Sequence, residues 1–318
     1  MSDAQVPVTN YQLSDLDLVV VILNYNTREM LHDCLTSLRR QAGLRFITCV
    51  VDNCSTDESA EMVARDFPEV TLIRAPANNG YSAGNNLGLR AFGFPDHPQA
   101  RFAMLLNPDT VVPADALRSM VAFADANPDA GVVGPRLLLP DGTLDKACRR
   151  SFPTPEVSFY RLTGLSKLFP RSRRFGRYNM TFLDEQTQAD VDSVVGACML
   201  VRADAIERAG LLDEQFFMYG EDLDWCLRIK SLPLPDPPRK GEGVRNYRVV
   251  YFPGAIVHHV KRAASRKSKK AQYEFQRAMW LFYRKHYRDH TNALTDAFVR
   301  AGLALRGGRE LAREMAKG

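Results

Sequence analysis

Nowhere do the 318 residues run to the ~20 consecutive apolar positions that a membrane-spanning helix requires, so no such helix is expected. Glycine never falls into G-x-G-x-x-G or G-x-x-x-x-G-K-[ST], which removes the dinucleotide fingerprint and the P-loop. The six cysteines (Cys34, Cys49, Cys54, Cys148, Cys198 and Cys226) form no C-x-x-C pair and no zinc spacing. Several lie in apolar segments, where a free thiol acts as a small hydrophobe. Met1–Asp17 is polar and lacks the basic start and apolar core of a secretory leader, so a reducing cytoplasm is the expected compartment. There are no repeats and no low-complexity tract. Charge of one sign is scarce: 42 Lys+Arg against 37 Asp+Glu leave +5, and no nucleic-acid partner is expected. The composition, 45% hydrophobic and 25% charged, is that of a globular chain with a large core.

The most informative stretch is Phe102-Ala-Met-Leu-Leu-Asn-Pro-Asp-Thr-Val-Val112. Phe102 to Leu106 reads as a buried strand, and Pro108 must end it, because proline cannot continue a central ladder. An amide and a carboxylate, Asn107 and Asp109, are left at the strand's C-terminal end, where open α/β sheets bind ligands. Oxygen donors on such a turn suit Mg²⁺ or Mn²⁺ shared with substrate phosphates. Turns of this composition also occur without a metal.

The first third alternates strands and helices. Leu18–Leu23, Phe46–Val51, Val70–Ile73 and Phe102–Leu106 read as strands. Helices follow from Asn26 or Thr27 as cap to about Gln41, after the capping-box spacing Ser55–Glu58, and from Ser82 to Phe92. This order predicts an α/β fold with a mostly parallel central sheet flanked by helices. Three strands end in Asn24, Asp52, and Asn107 with Asp109, so polar groups converge on one edge, as a nucleotide site requires. Further on, a helix is expected over Ala114–Ala126 and a strand over Val132–Leu139. Val191–Val201 is another apolar run. Glu221, Asp222 and Asp224 open a helix, Ser231–Asn246 is a surface loop, and Tyr247–Phe252 and Ala255–Val260 are separate strands. The chain is helical and basic from about Lys269 onward.

Seven blocks in order carry a resemblance. They are Val20–Asn26 (VVILNYN), Val50–Asp57 (VVDNCSTD), Asn78–Asn86 (NNGYSAGNN), Leu105–Thr110 (LLNPDT), Gly196–Arg202 (GACMLVR), Phe216–Asp224 (FFMYGEDLD) and Pro253–His259 (PGAIVHH). With these the sequence resembles the inverting family 2 glycosyltransferases of the GT-A fold, and among them the bacterial rhamnosyltransferase-like branch. The likeness runs from about residue 17 to 288. It implies a flexible tail over 1–16 and a GT-A catalytic domain over 17–260. Within that domain, 17–113 would be the nucleotide-sugar-binding half and 114–260 the acceptor and catalytic half. A basic helical extension would cover 261–318.

The resemblance also implies roles. Asp52 accepts from the pyrimidine N–H, with Asn24, Tyr25 and Asn26 framing the base. Asn79, Gly80 and Asn85 lie where the family packs nucleotide and diphosphate. Asn107-Pro-Asp109 stands at the DXD position, with Asp109 as the direct ligand of Mg²⁺ or Mn²⁺. His259 fits the family's Pro-x-Ala-x-x-x-His pattern better than His258 does, as third metal ligand or diphosphate contact. Asp222 is the catalytic base that takes the acceptor proton, and Glu221 and Asp224 are close competitors. The expected donor is dTDP-L-rhamnose, with UDP-hexose or UDP-N-acetylhexosamine as the alternative. A non-catalytic nucleotide-sugar-binding protein would be a different class.

Cations crowd into Arg161–Arg177 and Lys261–Lys270, the first interleaved with Leu165, Leu168 and Phe169. Phe298–Met315 mixes Leu303, Leu305 and Leu311 with arginines. Such patterns suit an anionic membrane surface, or simply a solvated face. They give a peripheral protein on the inner face of the plasma membrane, acting on a polyprenyl-diphosphate-sugar or glycan acceptor in cell-envelope polysaccharide synthesis.

Overall fold

The computed structural model describes residues 16–235, 243–260 and 268–317. The first third follows the expected alternation: β1 (Leu16–Asn24), α1 (Arg28–Leu38), β2 (Phe46–Asp52), α2 (Ser59–Asp66), β3 (Thr71–Arg74), α3 (Gly80–Ala91) and β4 (Ala100–Leu106). β1 pairs in parallel with β2 and β4, and β2 in parallel with β3. Leu18, Val19, Val20, Val21 and Ile22 are fully buried, as a strand covered on both faces requires. Each such side chain stabilises the fold by roughly 1.5–3 kcal/mol relative to exposure. The register sets Asn24 beside Asp52, and Ile22 beside Leu106, so these strands end along one edge.

The second half is mixed. It comprises β5 (Thr110–Val111), α4 (Ala116–Ala126), β6 (Ala130–Leu138), α5 (Pro155–Leu162), α6 (Leu165–Leu168), β7 (Ala189–Val191), β8 (Cys198–Arg202), α7 (Ala203–Ala209), α8 (Glu221–Lys230), β9 (Arg248–His259), α9 (Lys269–His286) and α10 (Ala293–Ala316). The sheet runs β3-β2-β1-β4-β8-β6-β9-β5, with β7 also on β9. β8 lies antiparallel between β4 and β6, while β6 and β9 are parallel. One core spans the sheet from Leu16 to Val257. Two smaller clusters pack α9 against α8 and α10 against α9.

Several expectations are corrected. The run Val191–Val201 is not one element: β7 stops at Val191 and β8 starts at Cys198. Asp192 and Ser193 between them bond through their backbone N–H groups to the Arg150 carbonyl, which turns the chain. The two strands expected over 247–260 are one strand, β9, whose irregularity at Pro253 and Gly254 shifts its register with β6 without breaking it. The Ser55–Glu58 capping box does not form. Glu58 sits at the helix start with φ 61°, and Asp57 instead accepts from the backbone of Ser59 (3.1 Å) and Arg28 (2.9 Å). Neither Asn26 nor Thr27 caps α1 by its side chain, because the Thr27 hydroxyl donates to Asn24 Oδ1 at 2.6 Å. α1 ends at Leu38 rather than near Gln41. Most of the tail, part of the 231–246 loop and most of the Lys261–Lys270 cluster lie outside the described residues. All six cysteines are free, and only Cys54 is exposed.

Candidate active site

The C-terminal ends of β1 and β2 build a polar pocket from the backbone outward. The Asn24 amide donates to Asp52 Oδ1 and to Ser55 Oγ, both at 3.1 Å. Asp52 Oδ2 accepts from the Ser55 backbone at 3.0 Å. Asn24 and Asp52 are buried, and Tyr25 stands half exposed at the rim. Asn26, held at φ 53°, accepts from the Thr56 N–H at 2.7 Å and so fastens the two strand-end loops to each other. At the start of α3, Asn78 makes the turn: its Oδ1 accepts from Asn53 (2.9 Å) and from the Gly80 N–H (3.1 Å). Asn79 is exposed. Gly80 has φ +91°, and a Cβ there would run into the Phe217 carbonyl, so this corner admits only glycine. Asn85 is buried, with its amide on the Tyr81 carbonyl of its own helix at 2.9 Å.

The Asn107–Asp109 turn lies on the same edge. Asp109 Oδ1 is 3.3 Å from His259 Nε2, and His259 Nδ1 is 2.9 Å from Asp145 Oδ2. Pairing of β5 with β9 sets Thr110 beside His259 and Val111 beside His258, which turns His259 inward and leaves His258 exposed. The carboxylate suits Mn²⁺ or Mg²⁺, the imidazole would add a nitrogen donor that is foreign to Mg²⁺, and Asp145 would fix the ring's tautomer. Among the described residues no three His, Cys, Asp or Glu side chains form a ready cage. The other positions of such an ion would therefore fall to phosphate and water.

The acidic first turn of α8 is linked to the Asn107–Asp109 turn through Tyr81 and Gly196. Carboxylates are favoured at a helix start, yet the three here meet different surroundings. Asp222 Oδ2 accepts from Arg150 Nη2 at 2.6 Å and from the Gly196 N–H at 3.2 Å, and its Oδ1 accepts from the Leu223 N–H at 2.8 Å. Glu221 is buried, with Oε2 lacking a hydrogen-bond partner. Burial, and then the charge of Asp222, push its carboxyl up to about 8. Asp224 is fully buried and bound to Arg228 (2.8 Å), Lys285 (2.8 Å) and His286 (2.7 Å). Burial alone would raise its carboxyl. The His286 hydrogen bond and the two cations outweigh that and hold it well below the usual carboxylate range. Asp224 thus ties α8 to α9.

Tyr81 joins the two turns. Its hydroxyl reaches Asn107 Oδ1 (3.3 Å) and donates to the Gly196 carbonyl (2.9 Å), while Gly196 N–H holds Asp222. A Cβ on Gly196 would sit 2.9 Å from the Tyr81 hydroxyl, so the close approach needs glycine. Tyr81, Asp145 and Arg150 were not singled out by sequence. Tyr81 and Gly196 do lie inside matched blocks, which was the available signal. Asp145 and Arg150 sit in an irregular stretch that carries none.

A mixed sheet flanked by helices, with buried polar side chains at the ends of β1 and β2 and an Asn-Pro-Asp turn at the end of β4, is the architecture of the GT-A class. The comparisons narrow this further. Residues 19–210 match glycosyl transferase family 2, and the chain belongs to that family. It is 28% identical over 214 residues to the low-salt glycan biosynthesis hexosyltransferase of Haloferax volcanii, covering 67% of this chain and 62% of that one. It is 25% identical over 295 residues to the N-acetylglucosaminyl-diphospho-decaprenol L-rhamnosyltransferase of Mycobacterium tuberculosis, covering 91% of each. The mannosyltransferase PcManGT of Pyrobaculum calidifontis, solved with GDP-Man and Mn²⁺, shares the fold with TM-score 0.56 and 16% identity over 96% of this chain and 80% of that one. S. aureus TarS does so with TM-score 0.53 and 15% identity, over 91% and 70%.

Proposed function

We propose that the protein is an inverting glycosyltransferase that moves L-rhamnose from dTDP-L-rhamnose to a lipid-diphosphate-linked sugar or polysaccharide. It would work at an anionic membrane surface, in cell-envelope glycan synthesis. The observation that supports this is the Asn107–Tyr81–Gly196–Asp222 connection, a short chain of hydrogen bonds between the Asn-Pro-Asp turn and the carboxylate of α8. Likeness to the rhamnosyltransferase over 91% of both chains supports the donor and the lipid acceptor.

In this reading the pyrimidine lies against Asn24 and Asp52, and the diphosphate extends toward Asp109 and His259. A divalent cation held by these two would neutralise charge on the departing nucleoside diphosphate. Asp222 takes the proton from the acceptor hydroxyl as its oxygen bonds to the anomeric carbon from the face opposite the diphosphate. The old carbon–oxygen bond breaks, its electrons leave with the diphosphate, and the anomeric centre inverts. Arg150 and the Gly196 N–H hold Asp222 Oδ2; Oδ1 accepts only the Leu223 N–H among the hydrogen bonds of the carboxylate and takes the proton on its second lone pair.

The test is a donor panel of dTDP-rhamnose, UDP-glucose, UDP-GlcNAc, UDP-galactose and GDP-mannose, read by hydrolysis and thermal shift. Preference for dTDP-rhamnose is expected. Preference for UDP-glucose overturns the donor. Binding of a donor without any turnover, with acceptor present, favours a non-catalytic nucleotide-sugar-binding protein.

A further inference from the structure

We propose that α10 and the α5–α6 segment form one bilayer-docking face that holds the acceptor side of the site against an anionic membrane. The proposal rests on the membrane-borne acceptor given above and adds the surface that would meet the lipid. α10 packs Val299 and Leu303 toward Trp280 and Tyr283 of α9. Its other face presents Leu294, Phe298 and Leu305, which are 70%, 70% and 87% exposed. Spacings of four and seven residues keep the three on one stripe. Phe159, Leu168 and Phe169 of the α5–α6 segment are also exposed. The two elements meet at Leu162, whose Cδ2 lies 3.8 Å from the position of a Cβ on Gly302. Single exposed apolar side chains are ordinary, but a set carried on two touching elements marks an interaction surface.

Charge selects the partner. From Pro155 to Thr181 the cations Arg161, Lys167, Arg171, Arg173, Arg174 and Arg177 stand against one carboxylate, Glu156, which Arg174 already engages. Arg306 and Arg309 of α10 are exposed as well. A second copy docked by two-fold symmetry would set these cations against each other, and interface cores are depleted in charge. Anionic headgroups pair with such cations while the interfacial region takes the apolar side chains.

Position fits the same partner. α5 starts five residues after Arg150, which holds Asp222. α9, which carries α10, is tied to α8 by His286 and Lys285 on Asp224. Both halves of the face are thus anchored to the helix that bears the proposed base. A lipid-linked hydroxyl would arrive from the side on which the protein rests.

The test is co-sedimentation with phosphatidylcholine vesicles, with and without phosphatidylglycerol, across a salt series. It compares wild type with Phe298→Ser/Leu305→Ser and with Arg171→Glu/Arg173→Glu. Wild type should bind the anionic vesicles, less as salt rises. The apolar pair should lose about tenfold or more, and the charge pair should bind at low salt only as weakly as wild type does at high salt. Donor hydrolysis in free solution should be unchanged in both variants, because none of the four is a candidate site residue. Vesicle binding equal in all three proteins, or absent in wild type at low salt, overturns the proposal. So does a wild-type dimer in sedimentation velocity that the apolar pair disperses, since that assigns the face to a second copy. Absence of hydrolysis with every donor would instead count against the transferase reading, and the vesicle result would still decide the docking face.

Discussion

Replacing Arg150 by Met gives the sharpest check on how the site is held. Arg150 Nη2 lies 2.6 Å from Asp222 Oδ2, with the two side chains only 11% and 6% exposed. Removing one partner of a buried pair strands the other charge, which costs about 3–5 kcal/mol. For a chain of this size that lowers the melting temperature by ~6–10 °C, taking about 2 °C per kcal/mol. The Gly196 and Leu223 N–H groups would still reach Asp222, so the loss should sit at the lower end. Urea unfolding can be followed by the two tryptophans, Trp225 and Trp280, both fully buried. Trp225 stands on α8 three residues after Asp222, with its indole N–H on the Gly210 carbonyl. In an Asp222→Asn background the same Arg150→Met change should cost little, because no carboxylate is left stranded. An equal cost in both backgrounds would refute the pair as the element that holds Asp222.

Asp222→Asn itself should lower transfer by about 10²–10⁴-fold with donor affinity nearly intact by calorimetry; near-normal turnover would remove Asp222 as the base. Asp109→Ala should weaken nucleoside diphosphate binding in Mg²⁺ or Mn²⁺, and activity that survives excess EDTA would reduce the turn to a structural one. Glu221 bears on the pH dependence of stability. Its carboxyl is raised from 4.5 to about 8, so the folded state binds the extra proton between those values and loses stability as pH climbs through them. Glu221→Gln should flatten that slope and raise the melting temperature above pH 8; an unchanged slope would show that Glu221 is not the group responsible.

What the sequence disclosed, and what it hid, follows from how far each signal reaches along the chain. Apolar runs that stop at Asn24, Asp52 and Asn107 are local, and they revealed both the strands and the edge where polar groups meet. His258 and His259 are neighbours on one strand, and only the pairing of Thr110 with His259 decides which faces inward. The Arg150–Asp222 pair spans 72 positions, and the His259–Asp145 pair spans 114. No periodicity or capping pattern announces contacts of that range. The capping box at Ser55 failed for the same reason: the Ser55 hydroxyl accepts from the Asn24 amide and the Asn26 N–H across the loop and does not turn to its own helix.

The tie at Asp224 bears on modularity. By sequence, residues after 260 read as an extension appended to a finished catalytic body. Yet two of the three side chains that compensate this fully buried carboxylate, Lys285 and His286, belong to α9. A protein cut before α9, or given a foreign C-terminal helix pair, would keep the charge and lose most of its counterweight two residues from the proposed base. Recombination with relatives is therefore constrained: position 224 and the end of α9 must be inherited together, or the first must give up its charge.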